Sequence, residues 1–279
     1  MTANLNYVFN KAYYSQIVGT VENSIRTANK QLIEFQFNNQ NEELQNKNIK
    51  TCQFKTTYPG LLIGLGTTHE IKDIDEEIKD IDEAIKVGFS FDYVTGLPYI
   101  PGSSVKGMLR SAFHVKKREC ISEIFKAINE TKFGTITEDM ILEIEHQIFG
   151  QGHNEVRNRQ QKNTDVFFDA VVVHGATDRR LIKRGNLLDY EYITSHQADD
   201  PAYNGLVALN PVRLLKVRPG VTFEFRFLLK NIRLRNDLEI TQDEKLELFK
   251  AIIELIGVGA KTNVGYGQMV LVSEKNKNL

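Results

Sequence analysis

Apolar residues along the 279-residue chain change their spacing several times, and each change marks an element. Up to residue 37 they are scattered at intervals that suit helices: Tyr7, Phe9, Tyr13, Tyr14, Ile17, Val21, Ile25, Leu32, Ile33 and Phe35. Residues 38–50 are rich in Asn, Gln and Glu and read as a linker or insertion. A strand is expected around 51–58, then a glycine-punctuated apolar turn from Gly60 to Gly66. Ile71, Ile74, Ile78, Ile81 and Ile85 follow at spacings of three and four, a narrow seam on a short amphipathic helix. Phe89 and Phe91 open a strand, 103–130 and 137–148 read as helices, and 150–164 is polar. Strands are expected at 166–174 and 206–230, the latter divided by Pro219-Gly220. An amphipathic run at 243–256 and the apolar segment Met269–Val272 close the pattern. This is an α+β chain, and its strands group around two helical blocks in a way compatible with a β-α-β-β-α-β unit. The division that follows is an N-terminal helical segment and polar linker (1–50), packed on a core of residues 51–279. That core carries an acidic helical insertion at about 70–86.

Between the last helix and the last strand lies Gly-Val-Gly-Ala-Lys-Thr-Asn-Val-Gly-Tyr-Gly, residues 257–267. Glycines at 257, 259, 265 and 267 permit positive φ and close backbone approach to a ligand. Free N–H groups with Lys261, Thr262, Asn263 and Tyr266 suit a phosphate backbone. The common nucleotide loops run strand, loop, helix, the reverse of this order. Their glycines are also missing: Ala260 and Leu255 stand where a Walker A loop needs them, and Thr262 where the dinucleotide pattern does. The plain alternative is a glycine turn that closes a strand pair.

A second segment, Gly96 to Arg110, has a different logic. Pro98 and Pro101 stiffen an extended approach, Gly102 allows a sharp turn, and Ser103 or Ser104 is a good N-cap. The helix that follows carries Val105, Met108, Leu109 and Ala112 on its apolar face. Lys106 and Arg110, four apart, add charge to a helix N-terminus suited to anions. An ordinary capped helix with two solvated cations would read the same way.

The net charge of −1 conceals an uneven distribution. Eight acids fall within residues 70–83, and without that stretch 33 basic and 28 acidic residues remain, about +5. Local basic clusters can therefore hold a phosphate backbone despite a neutral total. The acidic helix should face away from nucleic acid, toward its own chain or a basic protein partner. Two cysteines, Cys52 and Cys120, make neither a disulfide framework nor a zinc set. With no run of membrane-helix length and no signal-peptide pattern, the expected location is cytoplasmic, with no membrane partner.

The stretch Pro-Tyr-Ile-Pro-Gly-Ser-Ser-Val-Lys-Gly-Met-Leu-Arg at 98–110, Phe149-Gly150 and the glycine loop at 257–267 together resemble the RAMP superfamily of CRISPR RNA-binding proteins. Gly64-Leu65-Gly66-Thr67-Thr68-His69 and Tyr192–His196 make the chain most similar, within it, to the sixth-subunit family of the type III-B (Cmr) effector complex. The resemblance runs in pieces from about 52 to 273, and the first fifty residues carry no named motif. It implies a ferredoxin-like (RRM-like) core with helical insertions and a C-terminal glycine-rich loop. It also implies a non-catalytic RNA-binding subunit that caps the backbone filament near the guide RNA 3′ end in antiviral RNA targeting. The implied partners are guide RNA, target RNA as a further candidate, and other Cmr-type RAMP subunits. The expected RNA-binding residues are His69, Ser103, Ser104, Lys106, Arg110, Gly259, Lys261, Thr262, Asn263 and Tyr266.

Six histidines occur, none at zinc-site spacing, so neither a metal nor a cofactor is expected. Some RAMP relatives cut RNA without metal, and His69, ahead of His196, is the candidate acid or base for such a reaction. No catalytic residue is assigned. Two alternatives stay open: a metal-independent endoribonuclease that processes guide precursors, and a nucleotide-binding enzyme that uses the 257–267 loop.

Overall fold

The computed structural model describes residues 4–13, 23–37, 48–66, 85, 87–150, 165–176, 186–194 and 211–273. The isoleucine heptads lie outside them except for Ile85, which is buried and donates its backbone N–H to the Tyr13 hydroxyl at 2.9 Å. His69, His153 and His196 also lie outside.

The chain begins with α1 (Leu5–Tyr7), continued by a π-helical turn over Val8–Ala12, then α2 (Asn23–Ile33) and β1 (Ile49–Thr56). Next come β2 (Tyr99–Ile100), α3 (Gly102–Ser111), α4 (Arg118–Ile128), α5 (Glu130–Phe133) and α6 (Glu138–Phe149). Then follow β3 (Val166–Phe167), β4 (Ala170–His174), β5 (Leu188–Thr194), β6 (Pro211–Val217) and β7 (Thr222–Leu228). Two short strands, β8 (Ile232–Arg233) and β9 (Glu239–Ile240), lead into α7 (Gln242–Ile256), and β10 (Met269–Leu271) ends the series.

The main sheet is antiparallel throughout, in the order β10-β1-β7-β4-β2, with β3 also paired to β7. Period-2 alternation sets its faces. In β7, Phe223, Phe225 and Phe227 are buried while Glu224 and Arg226 turn to the other side; in β1, Cys52, Phe54 and Thr56 alternate with Gln53 and Lys55. The helices cover the phenylalanine face. Phe249 of α7 meets Phe227 at 5.3 Å and Phe167 at 5.8 Å, and Phe149 of α6 stacks on Phe167 at 5.6 Å. The polar face carries its own network: Gln53 donates to Glu224 at 3.0 Å, and Arg226 pairs with the same carboxylate at 2.8 Å. At the β10 edge the Glu254 carboxylate accepts the Leu271 N–H at 3.0 Å, which covers one donor of an otherwise open strand. Leu5, Phe9, Tyr13, Ile25 and Leu32 belong to the same apolar cluster as the sheet core, and Phe9 meets Phe91 at 5.6 Å.

Some elements differ from the expectation. The helix expected over 103–130 breaks after Ser111. Ala112 and Phe113 bond back to Leu109 and Arg110, tightening the turn so that Phe113 is buried against Phe149 at 5.4 Å. The strand expected over 166–174 is interrupted at Phe168-Asp169, where the Asp169 carboxylate leaves the sheet for another partner. β5 pairs with β6 in a separate two-stranded ladder.

A reciprocal capping box starts α7. Thr241 accepts the Glu244 N–H, and Glu244 accepts the Thr241 N–H at 2.8 Å and binds Lys132 at 2.7 Å. Burial pushes the Glu244 carboxyl up, but the hydrogen bonds from Lys132 and Thr241 outweigh it and hold the group below its usual range. A depressed carboxyl stabilises the fold above the unfolded value and loses that contribution as pH falls through the folded one. Thr241→Ala is expected to cost about 1 kcal/mol, and Glu244→Gln to flatten the acid side of the stability profile, both read by thermal melts.

Candidate nucleic-acid interface

The first turn of α3 is built differently from the expected serine cap. Pro101 is the N-cap and supplies no side chain, so Ser103 and Ser104 lie inside the helix as exposed first-turn residues. The side-chain acceptor comes from elsewhere: the Asp169 carboxylate takes the Gly102 N–H at 2.7 Å. Gly102 itself is required by packing, because a Cβ there would stand 2.3 Å from the Phe167 carbonyl oxygen.

Helical rotation then divides the polar residues of α3. Val105 and Leu109 are buried. Ser104, Gly107 and Met108 face a groove of about 500 Å³. Lys106 and Arg110, expected to add charge to the helix N-terminus, lie on another face of α3 and do not line the groove. Arg110 pairs with Glu145 of α6 at 3.1 Å, and the Lys106 ammonium sits 5.9 Å from the Phe167 ring centroid. Burial, and then the charge of Arg110, lower the Lys106 pKa.

The other walls of the groove are Leu62 to Gly66 and the Gly259-Ala260 segment of the glycine loop. Thus the proline turn, the Gly60–Gly66 turn and the C-terminal loop meet, although they are far apart in sequence. Backbone contacts weld them. Ala260 N–H donates to the Leu62 carbonyl at 2.9 Å, Gly267 N–H to Gly60 at 2.8 Å, and Val258 N–H to Gly267 at 2.9 Å. A Cβ at Gly259 would stand 2.3 Å from the Leu62 carbonyl oxygen, and one at Gly267 only 1.8 Å from that of Val258. These glycines therefore serve approach to the chain's own backbone, where the sequence suggested a ligand.

The loop tip remains available. Lys261 has a left-handed backbone, φ 58°, and precedes a single 3-10 turn over Thr262–Val264. This left–right succession aims consecutive N–H groups outward as an anion-binding concavity. Among the described residues, the amides of Lys261, Thr262 and Asn263 have no backbone acceptor. Lys261 and Asn263 are exposed. Tyr266 is half-buried and interacts with the Glu191 carboxylate, which pairs with Lys216 at 2.9 Å. Burial opposes ionisation of Glu191, but the Lys216 and Tyr266 hydrogen bonds prevail and its pKa is lowered; burial and Glu191 together raise that of Tyr266.

Two glycines of the groove have no internal explanation. A Cβ at Gly66 or Gly107 would meet nothing within 4 Å, and neither has positive φ. Gly107 sits in mid-helix, where glycine costs roughly 0.5–1 kcal/mol relative to alanine. Gly107 is not among the residues expected from sequence to bind RNA. The available signal was a glycine in the interior of an amphipathic helix at a position off the apolar face.

An antiparallel sheet backed by helices, with a glycine loop carried between the last helix and last strand onto a groove, makes an α+β domain. Residues 53–270 match the RAMP superfamily, and the chain belongs to that superfamily. Among solved structures, the chain is similar to one in "Cryo-EM structure of the Type III-B Cmr-beta bound to cognate target RNA", with 21% identity and a TM-score of 0.52 over 96% of this chain and 85% of that one. A second similarity is to "Crystal structure of Cmr6 from Pyrococcus furiosus", with 22% identity and a TM-score of 0.41 over 81% of this chain and 99% of that one. Comparison with curated proteins gave no match. No helix among the described residues is long and apolar enough to cross a membrane.

Proposed function

We propose that the protein is a non-catalytic RNA-binding subunit of a type III-B (Cmr) CRISPR effector, capping its backbone filament near the guide RNA 3′ end. Membership of the RAMP superfamily supports the class. The strand order β10-β1-β7-β4, with helical crossovers after β1 and β7, supports reading the core as ferredoxin-like and RRM-like. The likeness of fold to a chain of a target-RNA-bound Cmr complex favours target RNA and other Cmr subunits as partners, and guide RNA belongs to the proposal on the resemblance alone.

The observation that carries the reading is the pair Gly66 and Gly107. Both line the groove and neither is needed by the fold, so their missing side chains leave room for a ligand backbone. The groove walls offer Ser104 and glycine backbone, and the loop tip beside them offers Lys261 and free amides. This set reads phosphate and ribose without base preference. Lys106 and Arg110 act as framework for α3.

Gly107→Ala is expected to raise stability by roughly 0.5–1 kcal/mol, and Gly107→Leu to weaken single-stranded RNA binding while the protein stays folded. Lys261→Ala should reduce the salt dependence by about 0.7 unit for the one phosphate lost. RNA recovered after incubation should be uncut, with or without magnesium. Unchanged affinity in Gly107→Leu would remove the groove from the interface, and cutting abolished by His69→Ala would install the nuclease reading instead.

A further inference from the structure

On the far side of the glycine loop lies a second cavity of about 370 Å³, the size of a small-molecule site. Ile121 of α4 and Leu255 and Ile256 of α7 form an apolar floor. Leu255 is 56% exposed, unusual for a leucine beside a packed core. Thr262, Asn263 and Gln268 form a polar rim, and Lys117 stands at one end. Among the described residues, no hydrogen bond uses the side chains of Asn263 or Gln268, and Lys117 has no ion pair. Two carboxamides with free donors and acceptors beside aliphatic side chains are what an unpaired nucleobase needs. Its faces pack on aliphatic surface and its edge is met by amides.

We infer that this cavity receives one unstacked nucleobase from the RNA strand that crosses the glycine loop. The inference rests on the RNA-binding reading and adds a site to it. The link is geometric. Thr262 and Asn263 line the cavity, and their own amides belong to the concavity at the loop tip. A phosphate held at the tip therefore has its attached nucleoside at the cavity mouth. The groove beyond Gly259 reads backbone, whereas this cavity presents groups that discriminate base edges.

Cys120 lines the same cavity and is partly exposed. The other thiol, Cys52, is buried, and desolvation pushes its pKa up to about 12. Alkylation of the intact protein should therefore modify Cys120 alone, and Cys52 reports unfolding. Single-stranded RNA at about ten times its dissociation constant should slow Cys120 alkylation roughly tenfold. An abasic strand of the same length should bind through its phosphates and leave the rate close to that of free protein. The Gln268→Ala variant should keep salt-dependent binding and lose most of the protection. RNA that binds without protecting Cys120 overturns the base site and leaves the RNA-binding reading intact. Equal protection by the abasic strand also overturns it, because the strand then covers the cavity without filling it. Failure of any RNA to bind overturns both readings.

Discussion

Gly267→Ala is expected to be among the most damaging single changes in this chain. The residue has φ of 71°, and the added Cβ would stand 1.8 Å from the Val258 carbonyl oxygen. That oxygen belongs to a residue whose N–H is bonded to the Gly267 carbonyl, and the Gly267 N–H is bonded to Gly60, so neither side can retreat without loss of a hydrogen bond. The left-handed backbone costs an alanine about 1–3 kcal/mol, and the forced shift of backbone a similar amount. A drop in Tm of roughly 5–10 °C should follow, with loss of RNA binding as the loop leaves the Gly60–Leu62 turn. Gly66→Ala, where a Cβ meets nothing, is the matched control and should melt like the natural protein. Equal melting of both variants would refute the packing role assigned to Gly267.

Asp165→Ala should be comparably severe for an electrostatic reason. Asp165 and Lys245 form an ion pair at 2.5 Å with both side chains fully buried. The other carboxylate oxygen accepts the Lys230 N–H at 3.0 Å. Removing the acid strands an ammonium in the core and an amide at the end of β7, a loss of about 3–5 kcal/mol. Burial already lowers the Lys245 pKa, against the pull of Asp165, and without the acid it falls further. The unfolded variant then binds the proton more readily than the folded one. Its stability should therefore climb as pH rises toward the ordinary lysine value, more steeply than that of the natural protein. Asp165→Asn with Lys245→Met keeps an acceptor for Lys230, removes both charges, and should recover most of the loss. A flat pH profile in Asp165→Ala would mean that Lys245 reaches water.

These two sites differ in how far the sequence disclosed them. The β7 phenylalanines and the α7 stripe are periodic, so strand and helix were legible, and α7 begins one residue before the amphipathic run expected from 243. The glycine loop was legible as a place of positive φ, but not which backbone would press against it. That depends on the Gly60–Leu62 turn, some two hundred residues away. Lys106 and Arg110 at i and i+4 looked like a convergent pair, and only the tertiary packing places Glu145 and Phe167 beside them. Asp169 gave no sign of capping α3, since a cap from another element leaves no local pattern. Spacing reports periodic burial well and reports long-range pairing hardly at all.

The Asp169 carboxylate at the start of α3 has one more consequence, for ligand choice. Helix beginnings usually attract the most concentrated anion in reach. Here a built-in negative charge already satisfies the first donor, and a second concentrated charge would be repelled at short range. A di- or triphosphate packs its charge into a few ångströms and meets that repulsion in full. The start of α3 is thus disfavoured for small polyphosphates, and a single acidic side chain suffices for that.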